Sequence, residues 1–146
     1  FDNLQFHERD SINLNSLGQI WVGENIDTNG GFRKTFTAHN IDSSSDAYLR
    51  YSIVGKNASN NGFTVSVNGQ NFTGSLGNST FSNTKLNRTL RLNSNIIDIA
   101  VTSNGSNPSG LAYLDFLQLR FKDNLVYNNE QFTFCFLENI NDGNVY

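Results

Sequence analysis

The sequence predicts an all-β domain, an antiparallel β-sandwich of jelly-roll type, on three observations. Apolar residues recur with a period of two along most of the chain, as on a strand with one face buried. Aromatic residues dominate the apolar set, with 12 Phe and 5 Tyr but no Met, and such side chains suit a pleated, half-buried surface. About one residue in six is Asn, and Ser, Thr and Gly are frequent; these types close turns because they accept positive φ or bond their own backbone.

The strands follow in order. Trp21, in the stretch Gln19-Ile20-Trp21-Val22-Gly23-Glu24, lies at the first strand. Phe32, Phe36 and Ala38 share one face, with Arg33, Thr35 and Thr37 opposite. Ala47 to Val54 is a longer strand that places Leu49, Tyr51 and Ile53 together. Phe63, Val65 and Val67 alternate with Thr64 and Ser66 and run into Asn68-Gly69, the pair that a type I′ hairpin turn favours. A return strand through Phe72 should follow. Leu90 and Leu92 mark another strand, Ile97, Ile99 and Val101 the next, and Leu111 to Phe121 the longest. Phe132, Phe134 and Phe136 mark the last. Polar loops at 27–31, 41–46, 57–62 and 103–110 separate them. Short strands between turn clusters make a sandwich, and two antiparallel sheets in a jelly roll fit best. An immunoglobulin-like sandwich is the alternative, without the Cys…Trp…Cys hallmark of antibody domains.

A length of 146 residues suits a single domain covering 1–146. The first fifteen residues are expected to be less ordered. A start at Phe1 without Met and an end at Tyr146 read as a piece cut from a longer exported protein. The net charge of −3 and pI near 5.2 give no basic patch for nucleic acid. No apolar run approaches the ~20 residues of a membrane-spanning helix.

Catalytic chemistry finds little to work with. Cys135 is the only cysteine, and it alternates with Phe134 and Phe136, so it points away from the face those rings share. It reads either as a reactive thiol or as a small strand residue, and the second reading is the stronger. His7 and His39 stand in no recognisable peptidase signature. One Cys and two distant His do not make a zinc site. Asp42 with Asp46, and Asp27 with Asn29, lie in loops where a structural calcium ion could bind, although Asx-type turn bonds explain them as well. No other cofactor is expected. Glu24 and Asp115 are the carboxylates to inspect for glycoside hydrolysis. Asn57, Asn71, Asn78, Asn87 and Asn104 match the N-glycosylation pattern, as expected by chance in so Asn-rich a chain. Trp21 and Tyr113 read either as core residues or as anchors for a partner or a sugar.

Two stretches carry a resemblance. One is Leu14-Asn15-Ser16-Leu17-Gly18-Gln19-Ile20-Trp21-Val22-Gly23-Glu24. The other is Pro108-Ser109-Gly110-Leu111-Ala112-Tyr113-Leu114-Asp115-Phe116, continuing to Arg120, with Phe63 to Gly69 between them. Their order and spacing resemble the N-terminal region of PorU-like proteins, the gingipain-related sortases of the type IX secretion system in Bacteroidetes. Phe116 stands where that pattern has Tyr, and Ala112 where it has a larger apolar residue. The resemblance implies a β-rich, non-catalytic accessory domain preceding a cysteine peptidase domain that cleaves C-terminal sorting signals from cargo. It implies export to the periplasm or cell surface at the outer membrane. The expected partners are the downstream peptidase domain, cargo, or outer-membrane secretion proteins. The family's catalytic His and Cys belong to the later domain, so no catalytic residue carries over to this chain. Trp21, Tyr113 and Cys135 are the candidate interaction residues. The competing reading is a carbohydrate-binding module, which requires Trp21, Tyr48, Tyr51 and Tyr113 to line one exposed face.

Overall fold

The computed structural model describes residues 1–14, 20–27, 31–59, 61–105, 107 and 109–125. Among these residues every element is a strand: β1 (Asp2–Glu8), β2 (Ile12–Asn13), β3 (Trp21–Val22), β4 (Phe32–Thr37), β5 (Asp46–Lys56), β6 (Gly62–Val67), β7 (Gln70–Ser75), β8 (Phe81–Arg91), β9 (Ile96–Ser103) and β10 (Leu111–Lys122). The expected strand at Phe132 to Phe136, and Cys135 within it, lie outside the described residues.

Eight of these strands form two four-stranded antiparallel sheets. The first has the order β1-β10-β5-β8 and the second β4-β9-β6-β7. Apart from the β6–β7 hairpin, the chain crosses from one sheet to the other at each step from β4 onward. This interleaving is the jelly-roll order, so the immunoglobulin-like alternative is set aside. The small pair β2–β3 stands outside both sheets.

The inner faces supply the core. Leu49, Tyr51 and Ile53 of β5 and Leu117, Leu119 and Phe121 of β10 meet Phe63 and Val65 of β6 and Ile97, Ile99 and Val101 of β9. Tyr51 and Phe63 touch across the sandwich edge to face, ring centres 6.1 Å apart, a geometry that the ring quadrupoles favour. The anticipated turn is present: Asn68 and Gly69 take φ of 46° and 83°, and Val67 pairs with Gln70 across it.

Three features depart from the sequence reading. Residues 2–8, expected to be poorly ordered, pair with β10 along their whole length. They escaped notice because their alternation, Leu4 and Phe6 against Asn3, Gln5 and His7, puts the larger apolar residues on the outside. β8 starts at Phe81, well before the Leu90 that marked it, because its residues 82 to 89 are mostly polar and pair by backbone with β5. Finally, β10 is interrupted by a bulge at Asp115, where the register against β5 shifts between Leu114 and Phe116.

The bulge changes which residues face inward. Phe121, Leu119 and Leu117 point to the core from the far half of β10, and Leu114 and Ala112 from the near half. Unbroken alternation would have turned Asp115 and Tyr113 inward instead. A bulge adds one residue and so reverses the faces beyond it.

At Gly74 of β7, a Cβ would come within 2.3 Å of the Phe63 ring, which lies over this position. Gly74→Ala is therefore expected to lower stability by about 1–3 kcal/mol through overpacking. The exposed neighbour change Ser75→Ala should stay within about 0.5 kcal/mol. Urea denaturation of both variants distinguishes a filled contact from a general dislike of substitution in β7.

Candidate interaction surface

The outer face of the first sheet is divided at the bulge. Beyond it, towards Leu111, this face is covered. Residues 11–14 and 20–26 lie across it as a strap, with Val22 and Leu14 packed on Val54 and Tyr113 and flanked by Ile12, Ile20, Phe81 and Leu111. The strap is also tied to the edge of β10. Gly23 N–H donates to Leu114 C=O at 2.8 Å, Leu114 N–H to Glu24 C=O at 2.9 Å, and Ile26 N–H to Ala112 C=O at 2.9 Å. Residues 23–26 thus take over the β10 edge where β1 leaves it, opposite Phe116.

His7 and Glu24 meet at this handover. Their side chains lie 3.0 Å apart, Nε2 to Oε1, and both are largely buried. His7 also stacks on Phe32 of the second sheet, ring centres 4.7 Å apart. The pair therefore closes one edge of the sandwich. Nothing in the sequence linked two residues 17 positions apart in unrelated stretches. Glu24, inspected above as half of a carboxylate pair, is engaged by His7, while Asp115 occupies the bulge. His39 is exposed at the end of β4, and its carbonyl accepts from Asn95. No group of three or more metal-binding side chains occurs among the described residues.

The predicted anchors fall apart in space. Tyr113 is buried beneath the strap, and burial pushes its phenol pKa up, partly offset by a hydrogen bond with Asn25. Tyr51 lies in the main core, where burial likewise raises its phenol against the opposing charge of Arg88. Trp21 is 46% exposed on the strap, and Tyr48 is 46% exposed on the open part of the sheet. The four aromatic residues do not share an exposed face. The carboxylate of Asp42 accepts from the Ser44 hydroxyl at 2.5 Å, the Ser44 N–H at 3.0 Å and the Ser45 hydroxyl at 2.6 Å. The serine bonds hold its pKa down at about 2. This is the Asx-type turn anticipated for that loop. Asp46 pairs with Arg91 at 2.8 Å.

The open half of the first sheet's outer face was not foreseen. Cross-strand pairing sets its rows: Leu4 beside Arg120 beside Tyr48, Phe6 beside Gln118 beside Arg50, and Glu8 beside Phe116 beside Ser52. Leu4 is 50% exposed and Phe6 53%. Phe6 stacks on Phe116 at 6.3 Å. The Arg50 guanidinium lies over the Phe116 ring at 5.5 Å, and that of Arg120 over the Tyr48 ring at 4.7 Å. Strand spacing makes this a flat patch on the order of 14 Å across.

The outer face of the second sheet is its opposite in character. There Arg33, Thr35, Asp98, Ala100, Ser66 and Thr64 face water, and the Thr35 hydroxyl donates to Asp98 at 2.6 Å. Small hydroxyl and charged groups leave most of that face well solvated, with Ile96, 57% exposed, at one end of it.

Comparison with known proteins gives the same fold. The chain is similar to the crystal structure of dimeric latent PorU from Porphyromonas gingivalis, with a TM-score of 0.68 and 22% identity, over 88% of this chain and 13% of that one. The chain thus spans about an eighth of that protein's length. No family model matches the chain, and no curated protein matches it.

Sugar stacking by Trp21, Tyr48, Tyr51 and Tyr113 needs all four on a common exposed platform, and they do not form one: Tyr51 and Tyr113 are buried, Trp21 lies on the strap, and Tyr48 lies on the open half under the Arg120 guanidinium. A glycan array probed with residues 1–146 is therefore expected to return no ligand binding at millimolar affinity or better. A glycan bound in that range and lost on Tyr48→Ala would reverse this expectation.

Proposed function

We infer that this chain is a non-catalytic binding domain of a longer, exported, PorU-like protein, a gingipain-type cysteine peptidase acting as a sortase in type IX secretion. The observation that carries this reading is the jelly roll itself, which superposes on PorU over 88% of the chain at a TM-score of 0.68. The sequence stretches that resemble PorU-like proteins support it independently. Gly23 and Glu24 of the first stretch pair with Leu114 of the second, so two motifs far apart in the chain form one piece of structure.

In this reading the domain works by binding. It sits at the outer membrane or cell surface and holds the peptidase domain of the same chain, its cargo or its secretion partners in position. The bond-breaking His and Cys lie in the peptidase domain. Trp21, 46% exposed on the strap, and Cys135 remain candidates for contact. Tyr113 contributes by anchoring the strap beneath Trp21.

An in-frame deletion of residues 1–146 from the native gene tests the reading. Cargo carrying C-terminal sorting signals is expected to accumulate unprocessed, although the rest of the protein is still produced and exported. Normal processing in that strain, or a gene that encodes no peptidase domain after Tyr146, would contradict it.

A further inference from the structure

We propose that the open half of the first sheet's outer face, formed by Leu4, Phe6, Tyr48, Arg50, Phe116 and Arg120, docks a protein surface that presents carboxylates among aliphatic side chains. The proposal deepens the reading of the chain as a binding domain by naming the chemistry of its partner.

The first argument is the contrast between the two outer faces. A sheet face left to water is normally polar, as the second sheet's is apart from Ile96 at its end. The first sheet instead exposes half or more of Leu4 and Phe6 beside Tyr48. The strap shows how this sheet handles apolar residues that it does cover: Val54 and Tyr113 are buried by Val22 and Leu14. The strap stops at the bulge, and the apolar side chains continue past it. A contiguous apolar patch rimmed by polar groups marks an interaction site.

The second argument is charge. The chain as a whole carries −3, yet Arg50 and Arg120 stand inside the patch and Lys85 on its margin, next to Ser52; of the carboxylates on this face, Glu8 stands at the bulge end beside Phe116 and Asp46 is paired with Arg91. The side-chain pairs His7–Glu24 and Arg91–Asp46 involve none of the three. Each guanidinium sits over a ring. That arrangement satisfies its face and leaves its N–H edges for a planar acceptor such as a carboxylate, which arginine grips with two parallel bonds. The ring contact also fixes the long side chain in advance, so less freedom is lost on binding. Aromatic and arginine residues together are the types that anchor protein interfaces.

These features favour a protein over other anions. A polyanionic sugar or nucleic acid would answer the arginines but offer nothing aliphatic to Leu4 and Phe6. A second copy of this face would bring Arg50 and Arg120 again, with Glu8 only at the bulge end and Asp46 already paired with Arg91.

The test is a selection from a random dodecapeptide library displayed on phage, using residues 1–146 as bait, with heparin as a separate polyanion probe. Enriched peptides are expected to combine Asp or Glu with Leu, Ile or Val. They should bind at least tenfold more weakly to Arg120→Gln and to Phe6→Ser, and heparin should not compete with them. Arg120→Gln leaves β1 intact, so it keeps the test valid if Phe6→Ser disturbs the edge strand; unchanged thermal unfolding serves as the control. Peptides without carboxylates, equal binding to Arg120→Gln, displacement by heparin, or no enrichment at all would overturn the proposal. The selection does not depend on any peptidase, so its failure is distinct from failure of the gene-deletion experiment.

Discussion

Strand β10 reverses its faces at Asp115, and much of the molecule is organised around that reversal. An uninterrupted strand would have pointed a carboxylate and a phenol into an apolar core, at a cost of several kcal/mol for the charge alone. The extra residue keeps Leu117, Leu119 and Phe121 inward on one side and Leu114 and Ala112 inward on the other. It thereby sends Tyr113 and Leu111 outward, where they must be covered. The strap formed by residues 11–14 and 20–26 meets that need. It packs Val22 and Leu14 on them and borrows the β10 edge for its own backbone bonds. The His7–Glu24 pair sits at the junction. Bulge, strap and junction are one solution to a single problem of alternation.

The same division explains why one sheet has two kinds of outer surface. On the strap side, the sheet is sandwiched between two apolar layers. On the other side, β1 completes the sheet, and the pairing of Leu4 with Arg120 and Phe6 with Gln118 assembles a patch from three strands remote in sequence. The arginines there are held by rings rather than by carboxylates. That gives a surface of exposed apolar side chains and two ring-held guanidinium groups on an acidic domain.

Much of the fold was legible in the sequence. Period-two stretches such as Phe63 to Val67 and Ile97 to Val101 face the core as their alternation requires, and Asn68-Gly69 makes the turn that its residue types favour. What could not be read has a common cause. β1 and most of β8 lie at sheet edges, where one face is solvated and alternation weakens or inverts. The bulge appears in the sequence only as a misplaced Asp115 in an otherwise regular strand. The candidate anchors fared unevenly for the same reason: which face Tyr113 takes depends on the bulge, and which residues surround Tyr48 depends on pairing with β10. Arg50 and Arg120 gave no local signal, since each is an ordinary outward residue until β5 and β10 are placed side by side.

Selective nitration of tyrosine in the native chain, mapped by mass spectrometry, tests the division of the first sheet most directly. The account predicts that Tyr48, exposed on the open half, is modified, while Tyr113 under the strap and Tyr51 in the core react only after unfolding. Modification of native Tyr113 as fast as Tyr48 would mean that the strap does not cover the sheet, and the division at Asp115 would be contradicted.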